Sequence, residues 1–173
     1  DPVMGDEGRG FFVRPGIPEF FRDHAVPQAD IVTPNAFELG WLAGRSVRTV
    51  GEALAAAAAV RATGPGIVVC TSLLVADRPG ELGVLADAAT GSWICWTPRL
   101  EVTLNGTGDA FTALYLGAWL RTADPARALE QATSAMFALV ATTHATGSRE
   151  LELVQAQDEL VAPRRRSAAT RLR

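Results

Sequence analysis

Hydrophobic positions along this chain follow two alternating patterns. Ile67-Val68-Val69-Cys70-Thr71 is a continuous apolar run, as expected of a strand covered on both faces of a sheet. Asp30-Ile31-Val32-Thr33 predicts a brief buried strand ended by Pro34. Glu81–Ala86 and Ser92–Trp96 predict two more strands, with Ala88–Gly91 as the turn between them. The stretches between these runs have helical signals. Pro18–Ala25 predicts a short helix with proline in its first turn, and Asn35–Leu42 predicts one that stops at Gly44. Thr49-Val50-Gly51-Glu52 has capping-box spacing, in which hydroxyl and carboxylate satisfy reciprocal free N–H groups. The Ala-rich run after it continues a helix through Val60, ending near Gly64-Pro65-Gly66. Gly106–Arg121 predicts a helix that opens on glycines, and Asp124-Pro125 caps a long one running to about Thr146. Glu150–Val161 fits a short helix or a strand. Strands alternating with helices predict a layered α/β fold with a mainly parallel sheet.

Composition narrows the class. The 173 residues are 48% hydrophobic and 20% charged, with net charge −3, enough for one domain with a real core. That balance gives no electrostatic reason to expect nucleic acid or an anionic membrane as partner. No apolar stretch is long enough for a membrane span, and no signal peptide is visible. Cys70 and Cys95 sit singly in strand-like runs and suit buried thiols in a reducing cytoplasm. His24 and His144 lack partners at metal-ligand spacing, and Trp41, Trp93, Trp96 and Trp119 have apolar neighbours that favour core packing. Residues 1–163 read as one domain, and 164–173 as a basic, solvated tail. The opening Asp1-Pro2-Val3-Met4-Gly5-Asp6 reads as a strand handing over to a loop in the middle of a longer protein.

Three segments carry candidate chemistry. In Asn105-Gly106-Thr107-Gly108-Asp109 the glycines allow a tight turn and close approach of a ligand to the backbone. The free N–H groups of the helix that follows would point at one spot, where the helix dipole favours an anion. An aspartate beside it can take a proton from an alcohol while the amides hold a phosphoryl group. Gly106-Thr107-Gly108-Asp109 is also read as a plain turn with Asp109 as helix cap. Thr33-Pro34-Asn35-Ala36-Phe37-Glu38 puts Asn35 and Glu38 on one helix face just after a strand, where open α/β sheets bind ligands. Glu38 can orient waters on Mg²⁺ there; alternatively Asn35 is an N-cap and Glu38 a surface residue. Asp1 and Asp6 flank a loop at a strand end, as metal or phosphate neighbours or as turn residues. No P-loop lysine motif is present, and the glycine spacing is not that of a dinucleotide fingerprint.

In this order the three segments resemble the pyridoxal kinase branch of the ribokinase-like kinases. Thr71-Ser72, Glu150-Leu151 with Leu153-Val154, and Ala156-Gln157-Asp158 followed by Pro163 extend the resemblance over nearly the whole chain. It implies a three-layer ribokinase-like fold lacking its N-terminal portion. The implied activity is ATP-dependent phosphorylation of the hydroxymethyl group of pyridoxal, and of pyridoxine and pyridoxamine, in salvage of pyridoxal 5'-phosphate. Asp109 is then the catalytic base at the substrate, and Gly106, Thr107 and Gly108 form the anion hole. Asp6 and Glu38 serve Mg²⁺. Asp1, Thr33 and Thr71 lie around ATP and a monovalent cation, K⁺ or Na⁺, with Ser72 near the nucleotide phosphates. A cytoplasmic homodimer is implied for the full-length form. There are two departures: the part that grips and covers the pyridine ring would precede Asp1, and Ser167 stands where an aromatic is usual. Two rival readings are a hydroxymethylpyrimidine kinase, whose motif usually ends in Cys where Asp109 stands, and a non-catalytic nucleotide-binding remnant.

Overall fold

Alternate residues of one central strand feed two separate cores. In the computed structural model, which describes residues 1–173, strand β4 spans Ile67–Leu73. Its Val68 and Cys70 pack on one side with Leu39, Leu42, Ala53, Ala56, Ala57 and Val60. Its Ile67 and Val69 pack on the other with Phe111, Tyr115, Ala118, Ala128, Leu129 and Ala132. A period of two in the strand thus buries both faces, and helices cover each.

Ahead of β4 lie β1 (Gly5–Asp6), β2 (Gly10–Phe11), α1 (Ile17–Phe20), β3 (Ile31–Val32), α2 (Ala36–Ala43) and α3 (Val50–Arg61). A π-helical turn over Phe21–Ala25 and a 3-10 turn over Val26–Gln28 extend α1, so the expected Pro18–Ala25 helix is present but irregular. After β4 come β5 (Glu81–Ala88), β6 (Gly91–Pro98), α4 (Thr107–Thr122), α5 (Pro125–Thr146), α6 (Gln157–Val161) and β7 (Thr170–Arg171). The first core lies under α2 and α3, the second under α4 and α5. Helix α3 buries Ala53, Ala56, Ala57 and Val60, a stripe at helical spacing whose small side chains let the helix sit close to the sheet. The layered α/β fold is therefore as expected.

The sheet runs β3-β4-β5-β6-β7 and is mixed. Only β3 and β4 pair in parallel; β4–β5, β5–β6 and β6–β7 are antiparallel. The expectation of a mainly parallel sheet is corrected to that extent. Ala89 and Thr90 alone join β5 to β6, and so short a link permits only a hairpin.

The 164–173 segment is not a solvated tail. Ser167 is buried, and its amide donates to Ser134 Oγ at 2.9 Å. Thr170 and Arg171 pair with Ile94 and Trp93 as the fifth strand. The physical reason lies in Asp87, a fully buried carboxylate on β5. Arg61 and Arg173 each donate to it at 2.8 Å, and Ser92 Oγ at 2.5 Å. Burial alone would push the Asp87 carboxyl up. The hydrogen bonds from Ser92, Arg61 and Arg173, with the charge of Arg173, overcome it and hold the group below the usual carboxylate range.

The helix starts also differ in detail. Asn35 and Glu38 form a full capping box at α2, with Glu38 N donating to Asn35 Oδ1 at 2.9 Å and Asn35 N to Glu38 Oε2 at 2.9 Å. The box expected at Thr49–Glu52 is only half made. Glu52 N donates to Thr49 Oγ1 at 3.1 Å, but the Glu52 carboxylate accepts from Arg48 N, one residue earlier, at 2.7 Å.

Candidate active site

The carboxyl ends of β3 and β4 open into a cleft of about 590 Å³. Every residue singled out from the sequence lines it: Asp1, Asp6, Thr33, Glu38, Thr71, Ser72 and Gly106 to Asp109. Four separate stretches of chain are thus brought to one place, the position where open α/β sheets bind ligands. A larger hollow of about 730 Å³, between the free edge of β3 and α4, is mainly apolar. It contains none of these residues except Thr33, so its size is no guide to the chemistry.

The start of α4 differs from the other long helices. Helices α2, α3 and α5 open on a side-chain cap, from Asn35, Thr49 and Asp124. Helix α4 opens on Gly106, in the left-handed region at φ 78°, with no side-chain cap. The amides of its first turn are therefore left for something in the cleft. Asp109 lies in that turn with its side chain exposed. The turn is tied to β3 through hydroxyls: Thr112 Oγ1 donates to Gly108 O at 2.9 Å and lies 2.7 Å from Thr33 Oγ1. Gly108 leaves room for Asp1, since a Cβ there would stand 2.7 Å from Asp1 Oδ2. The chain's first carboxylate and the glycine turn thus share a surface.

Glu38 is 3% exposed and is not a surface residue. Its Oε1 accepts from Met4 N at 3.0 Å and Gly5 N at 3.4 Å, and its Oε2 from Asn35 N. Asn35 Nδ2 completes the tie by donating to Gly5 O at 2.8 Å. Burial raises the Glu38 carboxyl above its ordinary value, and the nearby Asp6 charge adds to that; the three amide bonds only partly offset it. The pair therefore clamps the β1 strand onto α2. Gly5 makes the close approach possible, because a Cβ there would collide with the Phe37 ring.

Thr71 and Ser72 reach the cleft through an irregularity. The β4–β5 register shifts between Cys70 and Leu73, and Ser72 takes φ 55°. A non-glycine residue held at positive φ in a bulge marks local strain, which collects where side chains are re-aimed for function. Thr71 N donates to Pro34 O at 2.9 Å, which fixes the bulge against the end of β3.

No group of three or more His, Cys, Asp or Glu side chains is arranged to hold a metal ion. Asp1 and Asp6 are the exposed carboxylates at the N-terminal side of the cleft; Asp6 Oδ1 accepts from Glu7 N at 2.8 Å. No helix is long and apolar enough to cross a membrane.

Comparison with known proteins agrees with this geometry. A family model described as phosphomethylpyrimidine kinase matches residues 1–153. The chain belongs to the phosphomethylpyrimidine kinase family. Among its relatives, the pyridoxal kinase PdxY of Rubrobacter xylanophilus is 53% identical over 165 residues, which is 94% of this chain and 57% of that protein. The PdxY of Deinococcus radiodurans is 49% identical over 179 residues, 99% of this chain and 60% of that protein. The pyridoxal kinase of Leishmania donovani, solved with ADP and ginkgotoxin, superposes with TM-score 0.91 at 30% identity, over 100% of this chain and 60% of its own. The chain thus spans about three-fifths of the length of the relatives it matches.

Several residues of this family member's cleft were not singled out from the sequence. Leu100, Val102 and Leu104 precede the glycine turn, and Met136, Phe137 and Val140 of α5 complete an apolar wall. The i, i+1, i+4 spacing on α5 was a usable signal, but it equally fits core packing. Arg9 and Phe12, on the β1–β2 hairpin, line the mouth.

Proposed function

We propose that this chain is the nucleotide-binding and phosphoryl-transfer part of a kinase that moves the γ-phosphoryl group of ATP to the hydroxymethyl oxygen of pyridoxal. Pyridoxine and pyridoxamine are related acceptors. The observation that carries the reading is the uncapped α4 start, which presents free amides and Asp109 to a cleft shared with Asp1, Asp6, Thr71 and Ser72. The pyridoxal kinase names of the relatives supply the acceptor.

In this reading Asp109 accepts the proton of the acceptor hydroxyl. The hydroxymethyl oxygen forms its bond to the γ-phosphorus as the bond to the β,γ-bridging oxygen breaks, and ADP leaves with that oxygen. The amides of Gly106, Thr107 and Gly108 stabilise the charge on the group in transit. Ser72 and Thr71 face the nucleotide phosphates, and the apolar wall of Val102, Met136 and Phe137 takes the base. The exposed Asp1 and Asp6 are hard oxygen donors that would hold Mg²⁺, which would supply positive charge against the phosphates. Glu38, with both oxygens engaged by amides, serves that ion by holding the segment between Asp1 and Asp6 in place. Asp1, Thr33 and Thr71 are the oxygen-bearing residues for a monovalent cation, K⁺ or Na⁺.

The test is Asp109→Asn in the longest form of the protein its reading frame encodes, in an ADP-release assay with pyridoxal. Asparagine keeps the size but cannot take the proton. Turnover should fall on the order of 10²–10⁴-fold with ATP still bound. Undiminished turnover removes Asp109 from this role. Turnover with hydroxymethylpyrimidine in place of pyridoxal moves the reading to the other acceptor.

A further inference from the structure

We infer that Arg9 is a positioning residue that clamps the terminal phosphates of the nucleotide from the hairpin side of the cleft; this rests on the kinase reading above. Of the residues that line the cleft, Arg9 alone carries a positive side chain, while Asp1, Asp6, Glu38 and Asp109 contribute carboxyl groups to the same lining. A nucleoside triphosphate brings about four more negative charges into this acidic surface at neutral pH. The α4 start offsets only about half an elementary charge. Arg9 is the single cationic side chain within the cleft.

The hairpin holds that charge ready. Its base is fixed: Phe12 N donates to Met4 O at 3.1 Å, Glu38 and Asn35 bind Met4 and Gly5, and Phe11 packs edge-on against Phe37 and Trp41 at 5.2 and 5.1 Å. Its tip is open. Gly8 and Gly10, both at positive φ, have open space where a Cβ would stand, so nothing packs over the tip on either side of Arg9. The Arg9 guanidinium lies over the Phe12 ring at 5.3 Å. Seven ion pairs form elsewhere in the chain and none of them takes Arg9. A stacked guanidinium without a carboxylate partner keeps its planar fork free for phosphate oxygens, and the stack lessens the freedom lost on binding.

Calorimetric titration of the 173-residue chain with MgATP, MgADP and adenosine tests this. Four proteins are compared: wild type, Arg9→Gln, Arg9→Lys and Arg14→Gln, the last a charge removed from an exposed residue outside the cleft. Arg9→Gln should weaken MgATP about tenfold, as expected for one charged hydrogen-bond partner. It should weaken MgADP less and leave adenosine unchanged. Arg9→Lys should recover part of the loss, and Arg14→Gln should behave as wild type. Equal MgATP affinity in Arg9→Gln and Arg14→Gln overturns the inference and leaves the kinase reading standing. So does a loss that is the same for adenosine, which marks a merely structural role. A wild-type chain that binds no nucleotide overturns both.

Discussion

Replacing Gly108 by alanine should move stability and nucleotide binding in opposite directions. Gly108 lies in the first turn of α4 with helical backbone, so alanine meets no conformational obstacle there. Alanine in place of a helical glycine is worth about 0.5–1 kcal/mol, with the lower end apt for a first turn. For a chain of this size that raises the melting temperature by about 1–2 °C. The added Cβ would meet Asp1 Oδ2 at 2.7 Å, closer than real Cβ contacts, so something has to shift. The Asp1 carboxylate is exposed and can swing away, which keeps the folding cost low. The binding cost is not low, because the methyl then stands where a phosphoryl oxygen would approach the amides. Loss of one charged hydrogen bond predicts MgATP affinity about 10- to 100-fold weaker. Thermal melts and nucleotide titrations of the two proteins decide the matter. A variant that melts well below wild type yet binds MgATP equally would refute the account of this turn.

Two further predictions concern the central sheet. Asp87→Asn should cost about 2 kcal/mol, below the range for a fully buried pair because Arg61 and Arg173 are 31% and 52% exposed. The folded Asp87 carboxyl lies below its unfolded value, so the unfolded chain takes up the proton first. The stability it contributes is present above about pH 4 and is lost as pH falls through the lower folded value. Acid titrations of stability should therefore be flatter in the variant over that window; parallel curves would count against the ion cluster. Burial pushes both Cys70 and Cys95 up to about 12. A thiol reagent at pH 8 should accordingly label the native protein only as fast as it opens, and rapid labelling of either thiol contradicts this burial.

The parts of the cleft that could be read from the sequence are those whose signal is local. Gly106 and Gly108 ahead of an apolar helix, and Asn35 three residues before Glu38, define a helix start within a few residues. A helix start at the end of a strand already predicts where free amides point. What the Asn35–Glu38 pair holds could not be read, since the Met4 and Gly5 amides are more than thirty residues away in sequence. The bulge at Ser72 exists only as a shift in pairing between β4 and β5, and no residue type announces it. The arginine-rich end looked solvated because its partner, Asp87, is an ordinary acidic residue near a turn until the sheet buries it.

Arg9 shows the same limit within the site itself. Glu7-Gly8-Arg9-Gly10 has the composition of any exposed turn. Nothing local distinguishes a solvated arginine from one aimed at a ligand. What distinguishes it is the company the fold assembles: four carboxyl groups from two other stretches of chain and from its own N-terminal stretch, and no second cationic side chain. Such an excess of like charge around an open cleft disfavours an anionic ligand unless fixed positive groups and a metal ion offset it. A phosphate-binding reading of this cleft therefore predicts a role for Arg9 that the turn alone could not suggest. Conversely, if removing Arg9 leaves MgATP binding intact, the α4 amides and the Mg²⁺ that enters with the nucleotide must hold the polyphosphate without a cationic side chain. The charge argument for the hairpin would then fail, while the case from the uncapped helix would remain.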